Sequence, residues 1–178
     1  MSVGTVASRY AKSLIELAQE KNVVEDVYQD MLLFNSVASA NRGLMLALKS
    51  PVVRHEKKLG ILKAIFKDKV SPVSYSIFEI ITRKNRESIL DSIAAEFITQ
   101  YNSYKGIQKA LVTTSIPLNA TLRDKFTKIV ADATGRTVEL EEKVDERLIG
   151  GYILRVGDRQ IDASLKSRLN ELKLELLN

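Results

Sequence analysis

Between Leu148 and Leu169 the chain reads Leu-Ile-Gly-Gly-Tyr-Ile-Leu-Arg-Val-Gly-Asp-Arg-Gln-Ile-Asp-Ala-Ser-Leu-Lys-Ser-Arg-Leu, and this stretch leaves few folds open. From Gly151 to Val156 the residues alternate, so Tyr152, Leu154 and Val156 share one face of a strand. Gly157-Asp158 is a two-residue turn, because glycine takes positive φ without a Cβ clash. Arg159 to Ile161 has room for a short return strand only. Asp162 then caps a helix, its carboxylate accepting from the unpaired amides of the first turn. Leu165, Leu169, Leu172 and Leu176 follow at helical spacing and make an apolar stripe.

Upstream of this hairpin the pattern is also α/β. Lys109 to Ile116 is rich in β-branched residues and predicts a strand stopped by Pro117. Asn119 caps a helix whose Leu122, Phe126, Ile129, Val130 and Ala133 make its buried stripe, and Gly135 closes it. Thr137 to Val144 alternates as a second strand, giving a strand–helix–strand crossover whose right-handed form is strongly preferred.

Residues 1–105 read as helix throughout. Ala7, Tyr10, Ala11, Leu14, Leu17 and Ala18 share one face of a helix that stops near Asn22. A second helix covers Val23 to Ala40, and a short apolar piece, Leu44 to Leu48, ends before Pro51. Arg54 to Phe66 is the next helix. Ser71-Pro72 opens a fifth in the favoured order, with Tyr75, Phe78, Ile81 and Thr82 on one side and Ile77 and Ile80 beside them. Asn85-Arg86-Glu87 breaks it, and Ser88 to about Tyr104 is the sixth. The expected architecture is α+β overall: an all-α six-helix bundle over 1–105, then a small α/β domain with a mixed sheet over 106–178.

The ordered set Val144-Asp145, Leu148-Ile149-Gly150-Gly151, Gly157-Asp158 and Ile161-Asp162-x-Ser164 resembles the C-terminal signature of the delta subunit of F-type ATP synthases. The mitochondrial counterpart is the oligomycin-sensitivity-conferring protein. Many members carry glycine between that Asp and Ser, where this chain has Ala163. Ala7-Ser-Arg-Tyr-Ala-Lys-Ser-Leu, Ser50-Pro51, Lys84-Asn-Arg and Val112-Thr-Thr-Ser-Ile-Pro-Leu extend the resemblance over nearly the whole chain.

Composition narrows the chemistry. There is no cysteine, so disulfides, thiol catalysis and thiolate zinc sites are excluded. The single histidine, His55, lies in the charged run Arg54-His-Glu-Lys-Lys and reads as helix surface. Gly150-Gly151 has neither the Gly-Lys-Ser/Thr ending of a phosphate loop nor the spacing of a dinucleotide motif, so Gly150, Gly151 and Gly157, with Asp162 and Ser164, read as structural. Glu139 and Glu141 fall on the wet face of a strand. An enzyme has little to work with here, and no catalytic residue, metal site or cofactor is expected.

The net charge is +5, and residues 1–105 hold 15 Lys and Arg against 11 Asp and Glu. Much of that excess lies in Arg54, Lys57, Lys58, Lys63, Lys67 and Lys69, read here as a solvated helix face. The same run supports an alternative reading, a basic helical adaptor for nucleic acid or anionic lipid. No apolar run is long enough to span a bilayer, and the N-terminus has no apolar core followed by a cleavage site. The chain reads as a bacterial protein made and kept in the cytoplasm.

The resemblance implies a non-catalytic stator subunit joining the catalytic head to the peripheral stalk. It implies that the helical domain receives the N-terminal helix of an alpha subunit, and that the C-terminal domain engages the b subunits. It implies no nucleic acid, and membrane contact only through the complex, on the cytoplasmic side of the plasma membrane. Tyr10 and Leu14 on the first helix, with Ile77 and Ile81 on the fifth, are the candidate groove residues; the same spacing serves a core position equally well.

Overall fold

The computed structural model describes residues 3–177. The chain divides into two compact units, Met1–Tyr101 and Asn102–Asn178, each with its own hydrophobic core.

Six α-helices occupy the first part: α1 (Val3–Glu20), α2 (Val24–Ala40), α3 (Arg42–Lys49), α4 (His55–Phe66), α5 (Pro72–Arg83) and α6 (Leu90–Tyr104). A single 3-10 turn, Glu87–Ile89, leads into α6. The breaks follow local chemistry. Asn22 (φ 54°) and Asn85 (φ 53°) take the left-handed conformation that asparagine tolerates better than most residues, ending α1 and α5. Ser71 caps α5 by accepting from the Ser74 N–H at 3.3 Å, with Pro72 next in line.

The core of this unit centres on Phe34, Phe66 and Phe78, whose ring centroids lie 5.2–5.7 Å apart in tilted pairs. Helical spacing delivers one ring each from α2, α4 and α5. Burying each contributes about 1.5–3 kcal/mol, and tilted ring packing adds to that. The small side chains Ala7, Ala11 and Ala18 of α1 are fully buried, letting its backbone approach its neighbours closely.

The second unit is a four-stranded mixed sheet in the order β2-β1-β3-β4, with one helix after β1 and one after β4. The strands are β1 (Ile107–Thr114), β2 (Thr137–Val144), β3 (Tyr152–Val156) and β4 (Arg159–Asp162); the helices are α7 (Ala120–Thr134) and α8 (Leu165–Leu177). β1 runs parallel to β2 and antiparallel to β3, and β3–β4 is the hairpin turning at Gly157-Asp158. The first strand lies two residues earlier than the β-branched run suggests. Gly106, at φ 67°, lets the chain leave α6 straight into the sheet, and the Thr114 hydroxyl bends the far end by donating to the Ile116 carbonyl at 2.7 Å. Asn119 caps α7 by accepting from the Leu122 N–H at 2.8 Å.

Ala110, Val112 and Leu154 from the sheet meet Phe126 and Val130 from α7 in the core, with Tyr152 edge-on to Phe126 at 4.8 Å. Two predicted stripes are only partly used. Leu122, Ile129 and Ala133 of α7 are exposed, because the sheet is narrow and reaches only Phe126 and Val130. Leu165, Leu169 and Leu172 of α8 are also exposed, and the Leu176 side chain lies outside the described residues.

Strand β3 is tied to the start of α8 by the backbone. The Leu165 N–H donates to the Gly150 carbonyl at 3.0 Å, and the Ala163 N–H to the Tyr152 carbonyl at 2.9 Å. The approach is so close that a Cβ on Gly151 (φ 80°) would sit 2.3 Å from the Ala163 carbonyl oxygen and 2.9 Å from the Ser164 Cα. Gly157 also has positive φ, but a Cβ there meets only the end of the Gln108 side chain, at 4.0 Å.

Gly151→Ala is therefore expected to destabilise the second unit by about 3 kcal/mol or more, since both the dihedral and two backbone atoms oppose it. Gly157→Ala is expected to cost about 1 kcal/mol, the dihedral alone. Hydrogen exchange of the β1 and β3 amides, compared across the two variants, measures the difference.

Candidate partner-binding surfaces

The four candidate groove residues separate into two classes. Leu14 and Ile81 are core side chains, 1% and 0% exposed, packed inside the helical unit. Of the two positions their spacing allows, the structure gives them the core one: both occupy the centre of an apolar stripe, and the centre of a stripe is what a helix turns inward. Tyr10 and Ile77 stand at the edge and are half-buried against the same core. Ile80, three residues after Ile77, is exposed at 47%.

Tyr10 has a partner far along the chain. A terminal nitrogen of Arg86 donates to the Tyr10 hydroxyl at 3.1 Å, and the guanidinium carbon lies 5.9 Å from the ring centroid. Arg86 follows α5, and its N–H donates to the Ile81 carbonyl at 3.0 Å, so the turn closing α5 meets α1 here. A cavity of about 260 Å³ opens beside this contact, lined by Val6, Arg9, Tyr10, Ser13 and Arg86. Sequence reasoning did not assign Arg86 a role; its only signal was its place in the Lys84-Asn-Arg motif.

The basic run of α4 is not a continuous solvated face. Lys58 is 4% exposed, with its Nζ 2.5 Å from Oε1 of the equally buried Glu87. Its spacing of four from Leu62 and then Phe66 puts it on the inward side. With Lys58 withdrawn, the adaptor reading for nucleic acid or anionic lipid loses part of its support.

In the second unit, exposed apolar side chains cluster on the helices and the edge hairpin. A cavity of about 390 Å³ lies between α7 and the hairpin, with Ile129, Val130, Leu154, Val156 and Ile161 among its walls and Arg159 at its rim. The opposite face of the sheet is wet, with Lys109 reaching Glu139 at 3.5 Å and Glu141 at 3.8 Å. Arg123 of α7 donates to Glu142, and that hydrogen bond holds the Glu142 carboxyl below its usual range.

Asp162 caps α8 differently from the expectation. The residue at the cap is Ser164, whose hydroxyl accepts from the Ser167 N–H at 3.3 Å while its carbonyl takes the Arg168 N–H. Asp162 works from two residues upstream. One oxygen accepts from the Ser164 N–H at 2.9 Å and the other from the Ser167 hydroxyl at 2.8 Å. The backbone bond from Ser164 is the largest cause of its lowered pKa, with the bonds to the Ser164 and Ser167 side chains adding to it. Gly150, Gly151, Gly157, Asp162 and Ser164 thus all lie in the turn and junction of β3, β4 and α8. Among the described residues no group of His, Asp and Glu is placed to hold a metal ion.

Two units with separate cores and open apolar flanks are the build of a binding protein. The family model for the ATP synthase delta (OSCP) subunit matches residues 6–176. The chain is 41% identical over 168 residues to ATP synthase subunit delta of Cytophaga hutchinsonii, covering 94% of this chain and 92% of that one. It is 37% identical over 178 residues to the subunit delta of Flavobacterium psychrophilum, covering 100% of both. In fold it is similar to a chain of the Toxoplasma gondii mitochondrial ATP synthase hexamer, at a TM-score of 0.75 and 23% identity, covering 97% of each. The chain belongs to the ATP synthase delta (OSCP) family. It is a structural, non-catalytic subunit of that complex and is associated with the membrane peripherally, through the complex.

Two measurements probe these contacts. Lys58→Met leaves the Glu87 carboxylate buried without its partner and is expected to cost about 3–5 kcal/mol in urea unfolding, most of it recovered by pairing the change with Glu87→Leu. The folded-state pKa of Asp162 is depressed, so its stabilising contribution is present above the unfolded value, about 3.9, and is lost as pH falls through the lower folded value. Acid titration of Ser164 amide exchange should show the α8 junction loosening below about pH 4. Asp162→Asn should flatten that dependence.

Proposed function

We propose that this subunit is the stator link of a proton-translocating F-type ATP synthase. It joins the catalytic head to the peripheral stalk on the cytoplasmic side of the bacterial plasma membrane, so that rotation is coupled to ATP synthesis. The observation that carries this reading is the division of one chain into two units that each keep apolar surface open. A link between two bodies needs two such surfaces, broad contacts and slow dissociation, and it needs no reaction centre.

The helical unit receives the N-terminal helix of an alpha subunit along the edge formed by Tyr10 of α1 and Ile77 and Ile80 of α5. Leu14 and Ile81 support that edge from beneath. The second unit engages the b subunits through the apolar side of α7, the β3–β4 hairpin and α8, where Ile129, Ile161, Leu165 and Leu169 are exposed. A nanomolar link corresponds to about 12 kcal/mol, within reach of a few buried aliphatic and aromatic anchors.

Ile80→Asp is expected to fold normally, since the side chain is exposed, and to weaken binding of a peptide from the start of the alpha subunit about tenfold or more. Leu14→Ala should instead destabilise the helical unit by about 2–5 kcal/mol. Circular dichroism with a peptide titration separates the two. Membranes lacking the subunit should keep ATPase activity in a detached head and lose proton-driven synthesis; normal synthesis there overturns the stator reading.

A further inference from the structure

A guanidinium laid over an aromatic ring, with one edge already hydrogen-bonded, is a half-built receptor for a carboxylate. Arg86 is in that state. Its backbone is fixed by the bond to the Ile81 carbonyl, and its side chain is oriented by the Tyr10 ring and hydroxyl. The hydroxyl occupies one of five N–H donors, and the fork geometry of the others matches a carboxylate better than a point charge would.

Some cations of this chain pair with acids. Lys49 pairs with Asp91, Lys58 with Glu87, Lys109 with Glu139 and Glu141, and Arg123 with Glu142. Among the described residues Arg86 makes no ion pair, although it is exposed. The adjoining cavity is lined by two arginines, a phenol, a serine and Val6, with no carboxylate in its wall. Arg86 gives it a positive charge, and its size suits one short side chain.

We infer that the helix docked on the edge of α1 and α5 places an Asp or Glu side chain in this cavity, where Arg86, held by Tyr10, takes the carboxylate through paired N–H donors. This rests on the alpha-subunit reading above and adds a chemical requirement to it. The apolar edge supplies contact area but little direction, since an aliphatic stripe packs nearly as well when the partner helix is shifted by a turn or reversed. One acid at one end fixes register and polarity, because every other alignment leaves Arg86 facing an apolar or like-charged side chain.

The test uses the full chain and a synthetic peptide of the N-terminal segment of the same organism's alpha subunit, followed by isothermal titration. Arg86→Glu should weaken binding about tenfold, with a smaller loss for Arg86→Lys, which keeps charge but not the fork. Exchanging the peptide's acidic residues singly for arginine should reveal one position with a matching loss, and that peptide should bind Arg86→Glu more tightly than it binds the wild type. Unchanged affinity of Arg86→Glu for the native peptide, or no acid showing this reciprocal recovery, overturns the pairing while leaving the docking edge intact. A wild-type chain that does not bind the peptide overturns the docking reading and the pairing together. Circular dichroism of Arg86→Glu confirms that the loss is one of binding, and Arg86→Gln, without reversed charge, gives the same ranking if the fold is sensitive to Glu.

Discussion

The second unit depends on a backbone-to-backbone crossing. At Gly150-Gly151 the chain entering β3 passes so near Ala163-Ser164 that no side chain fits between them, and two N–H···O bonds fasten the approach. This crossing brings the beginning of β3 and the end of β4 together, sets the length of the hairpin between them and fixes where α8 begins. The two-residue turn at Gly157-Asp158 closes the other end of the same small loop of structure. The motif that makes this family recognisable is therefore a packing constraint, and its polar members, Asp162 and Ser164, are spent on ordering the first turn of α8.

Much of this was legible in the sequence because the deciding interactions are local. A proline after serine, an asparagine before a helix, or alternation over eight residues act within one or two turns of backbone, and α5, α7 and β2 lie where those signals put them. What periodicity could not convey is what covers a face. Leu14 and Ile81 look like Tyr10 and Ile77 in one dimension; only the packing of several helices decides which sit at the centre and which at the edge. Lys58 reads as surface by composition, and its buried partner Glu87 is 29 residues away, beyond any local pattern. Leu165, Leu169 and Leu172 of α8 repeat as a core stripe should, yet among the described residues they remain uncovered.

That last mismatch has functional meaning. The large apolar side chains left exposed on α7 and α8, among them Leu122, Ile129, Leu165, Leu169 and Leu172, all belong to the second unit. In the first unit the surplus is smaller and is accompanied by charge at Arg86. The two units thus differ in the surface they expose, one chiefly apolar area and the other an apolar edge with a charged terminus.

The order of the strands also bears on how the molecule carries force. The backbone leaves α6, passes through Gly106 and becomes β1, an interior strand bonded along both edges. A pull applied along the axis of β1 loads both of its edges. Its hydrogen bonds to β2 and β3 are then sheared together rather than peeled apart one at a time, as they would be in an outer strand drawn sideways. Within this sheet, β1 is thus the strand whose bonding resists a pull along its own axis on two sides at once.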